Sequence, residues 1–165
     1  MIEIERKFLV AGADWQPARA VTPLCQGYLI TGAGRSLRIR QKGEQYLLTF
    51  KADHAGAAAR YEFEYPVPAE DGRQMLALCE RPPIEKHRHL VDHGGHTWEV
   101  DVFAGANAGL VLAEVELDAA DAALDLPAWV GPEVTDDPRF ANAALYEHPF
   151  ADWGVRYADL LAGAA

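Results

Sequence analysis

Cysteine is nearly absent from this 165-residue chain: Cys25 and Cys79 are the full complement, and no Cys-x-x-Cys spacing occurs. That argues against a disulfide framework and a thiolate zinc site, and for two reduced thiols in a cytosol. No apolar run approaches the length of a membrane span. The opening Met1-Ile2-Glu3-Ile4-Glu5-Arg6-Lys7 is too charged for a secretory signal, so a cytoplasmic protein is expected. Positive charge is also scarce. Fifteen Lys and Arg face 25 Asp and Glu, for a net charge of −10. Such a field opposes nucleic acid and anionic membranes as partners, and an anionic small molecule would need a local basic cluster to override it. Repeats and long linkers are missing too. One domain over 1–165 is expected, large enough to bury a core without staples.

What is present is a succession of short alternating segments separated by turn residues. They predict strands near 2–10, 24–31, 35–41, 45–51, 60–67, 84–91, 96–103 and 110–118. Lys42-Gly43 and Gly94-Gly95 read as hairpin turns, and Ala52–Ala59 as a flexible loop. A helix is predicted over about 69–79, with Met75, Leu76 and Cys79 on its apolar stripe, and a short one near 119–124. The tail from about 138 reads as helical, broken near Pro149. The pattern is α+β.

The charges alternate in an informative way. Residues i and i+2 of a strand share a face. Glu3, Glu5 and Lys7 oppose Ile2, Ile4 and Phe8; Arg38 and Arg40 oppose Leu37 and Ile39. Lys51 ends a strand whose other face holds Tyr46, Leu48 and Phe50. Glu62 and Glu64, Lys86 and Arg88, Glu99 and Asp101, and Glu114 and Glu116 repeat the theme. A sheet with one wet face alternates in the same way. Most of these pairs, however, carry a single sign, and like charges crowded on one face are unfavourable without counter-ions. Clusters of both signs suit a hard divalent cation and a phosphate-bearing anion together. Eight such strands, if closed, would form an antiparallel β-barrel with a charged lumen and helices packed outside.

At these residues the chain resembles the CYTH superfamily, the triphosphate tunnel metalloenzymes. Glu3-x-Glu5-x-Lys7 matches the family's opening. Arg38-x-Arg40, Lys51, Glu62-x-Glu64, Lys86-x-Arg88, Glu99-x-Asp101 and Glu114-x-Glu116 follow in its order, then Gly131–Pro138 and Asn142. The resemblance spans about residues 1–145, is closest to short single-domain bacterial members, and leaves the role of the tail after Leu145 open. It implies an eight-stranded tunnel and metal-dependent hydrolysis of a linear triphosphate, with inorganic tripolyphosphate favoured. It implies Glu3, Glu5 and Glu116 as ligands to Mg²⁺ or Mn²⁺. Glu62, Glu64, Glu114 and Lys86 would be catalytic, the three carboxylates serving a second metal or orienting water. Lys7, Arg38, Arg40, Lys51, Lys86 and Arg88 would bind the phosphate chain. The partner expected is this small molecule; a homodimer is left open.

Other residues carry less. His87 and His89 face away from the charged side, and His93 and His96 flank a Gly-Gly turn, so solvated histidines are expected rather than zinc ligands. Gly32-x-Gly34 leads into a strand, not a helix, which reads as a turn rather than a phosphate loop. Ser36 has no base beside it in sequence. Trp98 belongs to the core, and Tyr28 is barrel packing unless it faces substrate. The alternatives are a nucleoside or thiamine triphosphatase, a class IV-type adenylyl cyclase, a non-catalytic polyphosphate-binding module, and an apolar-ligand carrier, which the charged face disfavours.

Overall fold

The computed structural model describes residues 2–53, 60–119 and 122–163; the side chains of Ile2, Glu3 and Arg60 lie outside the description. Ten strands form one antiparallel sheet: β1 (Ile2–Glu3), β2 (Glu5–Val10), β3 (Ala20–Gly32), β4 (Arg35–Lys42), β5 (Gln45–Asp53), β6 (Arg60–Val67), β7 (Ile84–His93), β8 (His96–Phe103), β9 (Val111–Glu116) and β10 (Val130–Glu133). Their order is β1-β6-β5-β4-β3-β7-β8-β9-β2-β10. β1 and β2 are one segment interrupted at Ile4. β9 pairs along one of its edges, and β6 and then β10 pair elsewhere along it. The ladder therefore runs from β9 through the N-terminal segment to β6, linking the two ends of the order.

All eight predicted strands are found. β3 starts four residues earlier than expected, and β10 was not predicted, because Val130-Gly131-Pro132-Glu133 is too short to alternate. Gly94 and Gly95 form the β7–β8 turn, with His93 paired to His96. Both adopt positive φ (58° and 80°), as a two-residue hairpin requires. The β4–β5 turn is Gly43-Glu44 rather than Lys42-Gly43, since Lys42 pairs with Gln45. Ala52 and Asp53 extend β5, and 54–59 of the expected loop lies outside the described residues. The short helix expected near 119–124 lies partly outside them too. Its described residues are not helical, and the Ala122 N–H closes a turn onto the Ala119 carbonyl.

The two faces of the sheet have different covers. On the outer face, Trp98 is fully buried among Phe8, Val100, Val115 and Trp129, with Trp15 at its rim. Helix α1 (Ala69–Ala77) covers β3, β4 and β5 on the same face. Its stripe is Gly72, Met75, Leu76 and, just past its end, Cys79, the 3.6-residue spacing the sequence showed. Gly72 is the closest approach: a Cβ there would lie 2.3 Å from the Tyr46 ring. Gly72→Ala should therefore lower stability by about 1–3 kcal/mol despite alanine's better helix propensity; urea unfolding that shows the variant equal or more stable would contradict this contact.

On β2, β7, β8 and β9 the inner face is charged at one end of the strands and apolar at the other. Glu5 and Lys7 give way to Leu9, Glu116 and Glu114 to Leu112, Asp101 to Phe103, and Lys86 to Ile84. The C-terminal segment packs against that apolar end: Phe140, then Leu145 and Tyr146 of α2 (Asn142–Glu147), Phe150, and Leu160 of α3 (Tyr157–Leu161). Tyr157 fastens it. Its hydroxyl accepts from the Val10 N–H at 2.7 Å and lies 2.7 Å from the Val111 carbonyl oxygen.

Candidate active site

Strand parity places every described charged residue of the sequence motif on the inner face. A cavity there is lined by Glu5 and Lys7 of β2, Tyr28 of β3, Ser36 and Arg38 of β4, Lys51 of β5, and Ala141, Asn142 and Ala143. One wall is cationic. Arg38 Nη2 lies 3.1 Å from Thr49 Oγ1 and 3.5 Å from Glu64. Arg40 reaches Glu64 at 3.4 Å, and Lys51 pairs with Glu62 at 2.9 Å. Burial pushes Arg40 down to about 10, and the charges of Arg38 and Arg88 push it the same way. Arg88 lies on β7, so the arginines of β4 and β7 feel each other although they are some fifty residues apart in sequence.

The opposite wall is a dense ion-pair network. Asp101 is fully buried and accepts from Lys86 at 2.5 Å and from Arg88 at 2.8 and 2.7 Å. Arg88 also reaches Glu114 at 3.2 Å and pairs with Glu99. Lys7 Nζ lies 2.9 Å from Glu114 and donates to the Phe140 carbonyl at 3.3 Å; Lys86 Nζ donates to Asn142 Oδ1 at 3.1 Å. Burial alone would raise Glu114, but Lys7, Lys86 and Arg88 outweigh it and hold the carboxyl well below its usual range. Burial also opposes the charge on Lys7, yet Glu114 and Glu5 keep it raised. At Lys86 burial prevails, and its pKa is lowered against the pull of Asp101.

Two pairs of glutamates face each other across strands. Glu99 opposes Glu114, and Glu5 opposes Glu116. Arg88 bridges the first pair. Nothing comparable bridges the second: Lys7 stands 3.7 Å from Glu5, and among the described residues no ion pair engages the exposed Glu116. Two like charges on adjacent strands repel unless a cation intervenes. Their oxygen donors fit a hard divalent cation that retains several waters. Glu3 lies two residues before Glu5 in sequence, with its side chain outside the description. Among the described residues no three His, Cys, Asp or Glu side chains form a preformed metal cage.

The structure brings together Glu5, Lys7, Arg38, Arg40, Lys51, Glu62, Glu64, Lys86, Arg88 and Glu114, with Glu116 at the rim. Glu114 is engaged by two cations rather than open toward a second metal. Among the described residues the histidines form no metal cluster: His89 packs edge-on against Trp15 (4.8 Å between centroids), and His93 lies 3.3 Å from Asp125. Sequence reasoning missed Thr49, which is fully buried and donates to Glu64 at 2.8 Å while contacting Arg38. Its signal was available, since it shares a face with Lys51. The Phe140 carbonyl carries no sequence signal at all.

The CYTH domain model matches residues 1–141. An inorganic triphosphatase from Acetivibrio thermocellus is 40% identical over 152 residues, covering 92% of this chain and 97% of that protein. An inorganic triphosphatase from Nitrosomonas europaea is 42% identical over 151 residues, covering 88% and 97%. Among solved structures, one of an inorganic triphosphatase superposes with a TM-score of 0.65 at 38% identity, covering 87% of this chain and 93% of that one. A putative adenylyl cyclase from Hippeastrum has a TM-score of 0.54 at 14% identity, covering 71% of this chain and 80% of its own, a likeness of fold alone. With a family model over 1–141 and two relatives at 40–42% identity along most of its length, the chain belongs to the CYTH domain family.

Proposed function

We propose that this protein is a metal-dependent inorganic triphosphatase that draws tripolyphosphate into a closed charged tunnel and releases orthophosphate. The observation that carries this is the lining of the cavity: three cations, Glu5, polar side chains and small alanines, with Tyr28 as the one aromatic among the described residues. A nucleoside would call for an apolar or stacking slot beside the phosphates; a bare phosphate chain calls for charge. The names of the relatives at 40–42% identity support the same activity.

In-line phosphoryl transfer needs positioning and charge neutralisation more than covalent chemistry. The two walls divide this work. Lys86 and Arg88 are fixed by short contacts to Asp101 and hold one side of the chain in place. Arg38 and Arg40 have only long contacts to Glu64 (3.5 and 3.4 Å), so a phosphate group can displace that carboxylate. Lys7 and Lys51 add point charges. Glu62 and Glu64, once released from their cations, are placed to orient the attacking water. Glu3, Glu5 and Glu116 would hold Mg²⁺ or Mn²⁺, which neutralises phosphate charge and activates water when bound. With a net charge of −10, the substrate is a small molecule in the cytoplasm rather than a nucleic acid or membrane surface.

The test is phosphate release from tripolyphosphate, ATP and thiamine triphosphate, with and without Mg²⁺ or Mn²⁺. Tripolyphosphate is expected to show the highest kcat/KM, and chelation to abolish turnover. ATP hydrolysed as well or better, or cyclic AMP as the main product, would reject the assignment.

A further inference from the structure

Among the described residues, six buried side-chain atoms have no hydrogen-bond partner: Gln26 Nε2 and Oε1, Arg38 Nε, Arg40 Nε, His93 Nε2 and Trp98 Nε1. Four of the six belong to three residues on the inner face of β3 and β4. Gln26 is paired directly with Arg40 in the β3–β4 ladder and with Ile84 on its other side. Its neighbour on the same face, Tyr28, lines the cavity opposite Arg38. Gln26 is only 1% exposed. A carboxamide buried there with neither its donor nor its acceptor matched is unfavourable by about 1–3 kcal/mol per group. Polar atoms left this way in a folded protein call for an explanation. Here the orphans are concentrated beside two arginines whose anionic contacts among the described residues are long, at 3.4–3.7 Å.

We infer that Gln26 belongs to the anion site: its Nε2 donates to a non-bridging phosphate oxygen held by Arg40, while its Oε1 accepts from the Arg40 Nε–H. This rests on the triphosphate assignment above and adds a residue that no charge pattern marks. Directly opposed residues on antiparallel strands have Cβ atoms about 5 Å apart, within reach of both contacts. The Arg40 fork leaves Glu64 for the phosphate, its Nε turns to Gln26, and one anion satisfies the orphaned groups of Gln26 and Arg40 together. Gln26 then senses whether Arg40 is engaged by phosphate, which a surface lysine could not do.

The alternative is a polar core residue with no ligand role, and the two differ in a measurable way. Gln26→Leu removes both orphaned groups at similar volume. The free protein should therefore melt no lower than wild type, while tripolyphosphate binding, followed by calorimetry in metal-free buffer so that no turnover occurs, should weaken about tenfold or more. Gln26→Glu keeps the length and the acceptor but replaces the donor with a negative charge, and should weaken binding further. Gln26→Met serves as the apolar variant if the leucine fails to fold. Affinities of the folded apolar variant and of Gln26→Glu both within twofold of wild type would overturn the inference while leaving the triphosphatase assignment standing. No binding by wild type in this buffer would overturn the inference, and the triphosphatase assignment would fall with it only if turnover with Mg²⁺ or Mn²⁺ were absent as well.

Discussion

Replacing Glu5 or Glu116 by glutamine is expected to lower tripolyphosphate turnover about 10²–10³-fold while the fold survives. The two carboxylates stand opposite each other on β2 and β9, and among the described residues no arginine is shared between them. Each substitution keeps the size and removes one charged oxygen. In the absence of a cation it also removes a repulsion, so the free variants should melt at or slightly above the wild-type temperature. A residue needed for folding would behave the other way. The concentration of Mg²⁺ giving half-maximal activity should rise with the loss of kcat, because a charge that held the cation is gone. Arg6→Gln is the control. It breaks a well-formed pair with Glu133 at 2.6 Å on the face of β2 opposite the cavity lining, and should leave turnover within a few-fold. Activity of Glu5→Gln and Glu116→Gln within a few-fold of wild type at saturating Mg²⁺ would reject these residues as ligands.

Much of this fold was legible because a strand's period of two separates what faces inward from what faces outward. Arg38 and Arg40 against Leu37 and Ile39, or Glu114 and Glu116 against Val115, announce both a strand and its polar side. The same period fails where chemistry comes from backbone or from neutral groups. The Phe140 carbonyl that receives Lys7 has no side-chain signature. Gln26 is an ordinary polar residue until its register with Arg40 is known. The division of labour between the two walls was also hidden. Glu62-x-Glu64 and Glu99-x-Asp101 look alike in sequence, yet Glu64 holds its arginines loosely at the cavity whereas Asp101 is fully enclosed. Burial depends on which strands are neighbours and on what covers the strand ends. The tail after Leu145 was opaque for a related reason: Phe150, Tyr157 and Leu160 acquire a role only because the inner-face rows of β2, β9, β8 and β7 end in apolar residues, Leu9, Leu112, Phe103 and Ile84.

Asp101→Asn should be among the most destabilising single substitutions in the site. Asp101 has no solvent exposure and accepts from both Lys86 and Arg88. Removing its charge leaves Lys86, itself 2% exposed, with only neutral amide acceptors, Asn142 among them, and sets an amide donor where one carboxylate oxygen accepted from the two cations. Breaking one partner out of a buried pair typically costs about 3–5 kcal/mol. For a domain of this size that corresponds to a fall in Tm of roughly 6–20 °C. The exposed pair Arg19–Asp92, at 2.8 Å, supplies the comparison: Asp92→Asn should change stability by about 1 kcal/mol or less. Two further signatures separate electrostatics from a packing fault. Burial already lowers the Lys86 pKa, and without Asp101 it should fall further below the unfolded lysine value of about 10.4. A cation depressed in the folded state destabilises fully below its folded pKa, and this is relieved as pH rises from there toward the unfolded value. The gap between variant and wild type should therefore narrow at alkaline pH. Tripolyphosphate should narrow it too, because the bound anion supplies negative charge to the stranded Lys86 and Arg88, and its stabilisation, about 2.7 kcal/mol at a hundred times Kd, should be larger in the variant at equal concentration. Thermal unfolding of both proteins across pH, with and without the anion, decides the matter. A gap unchanged by pH and by tripolyphosphate would mean that Asp101 only fills space, and that Lys86 and Arg88 are not poised to receive a phosphate.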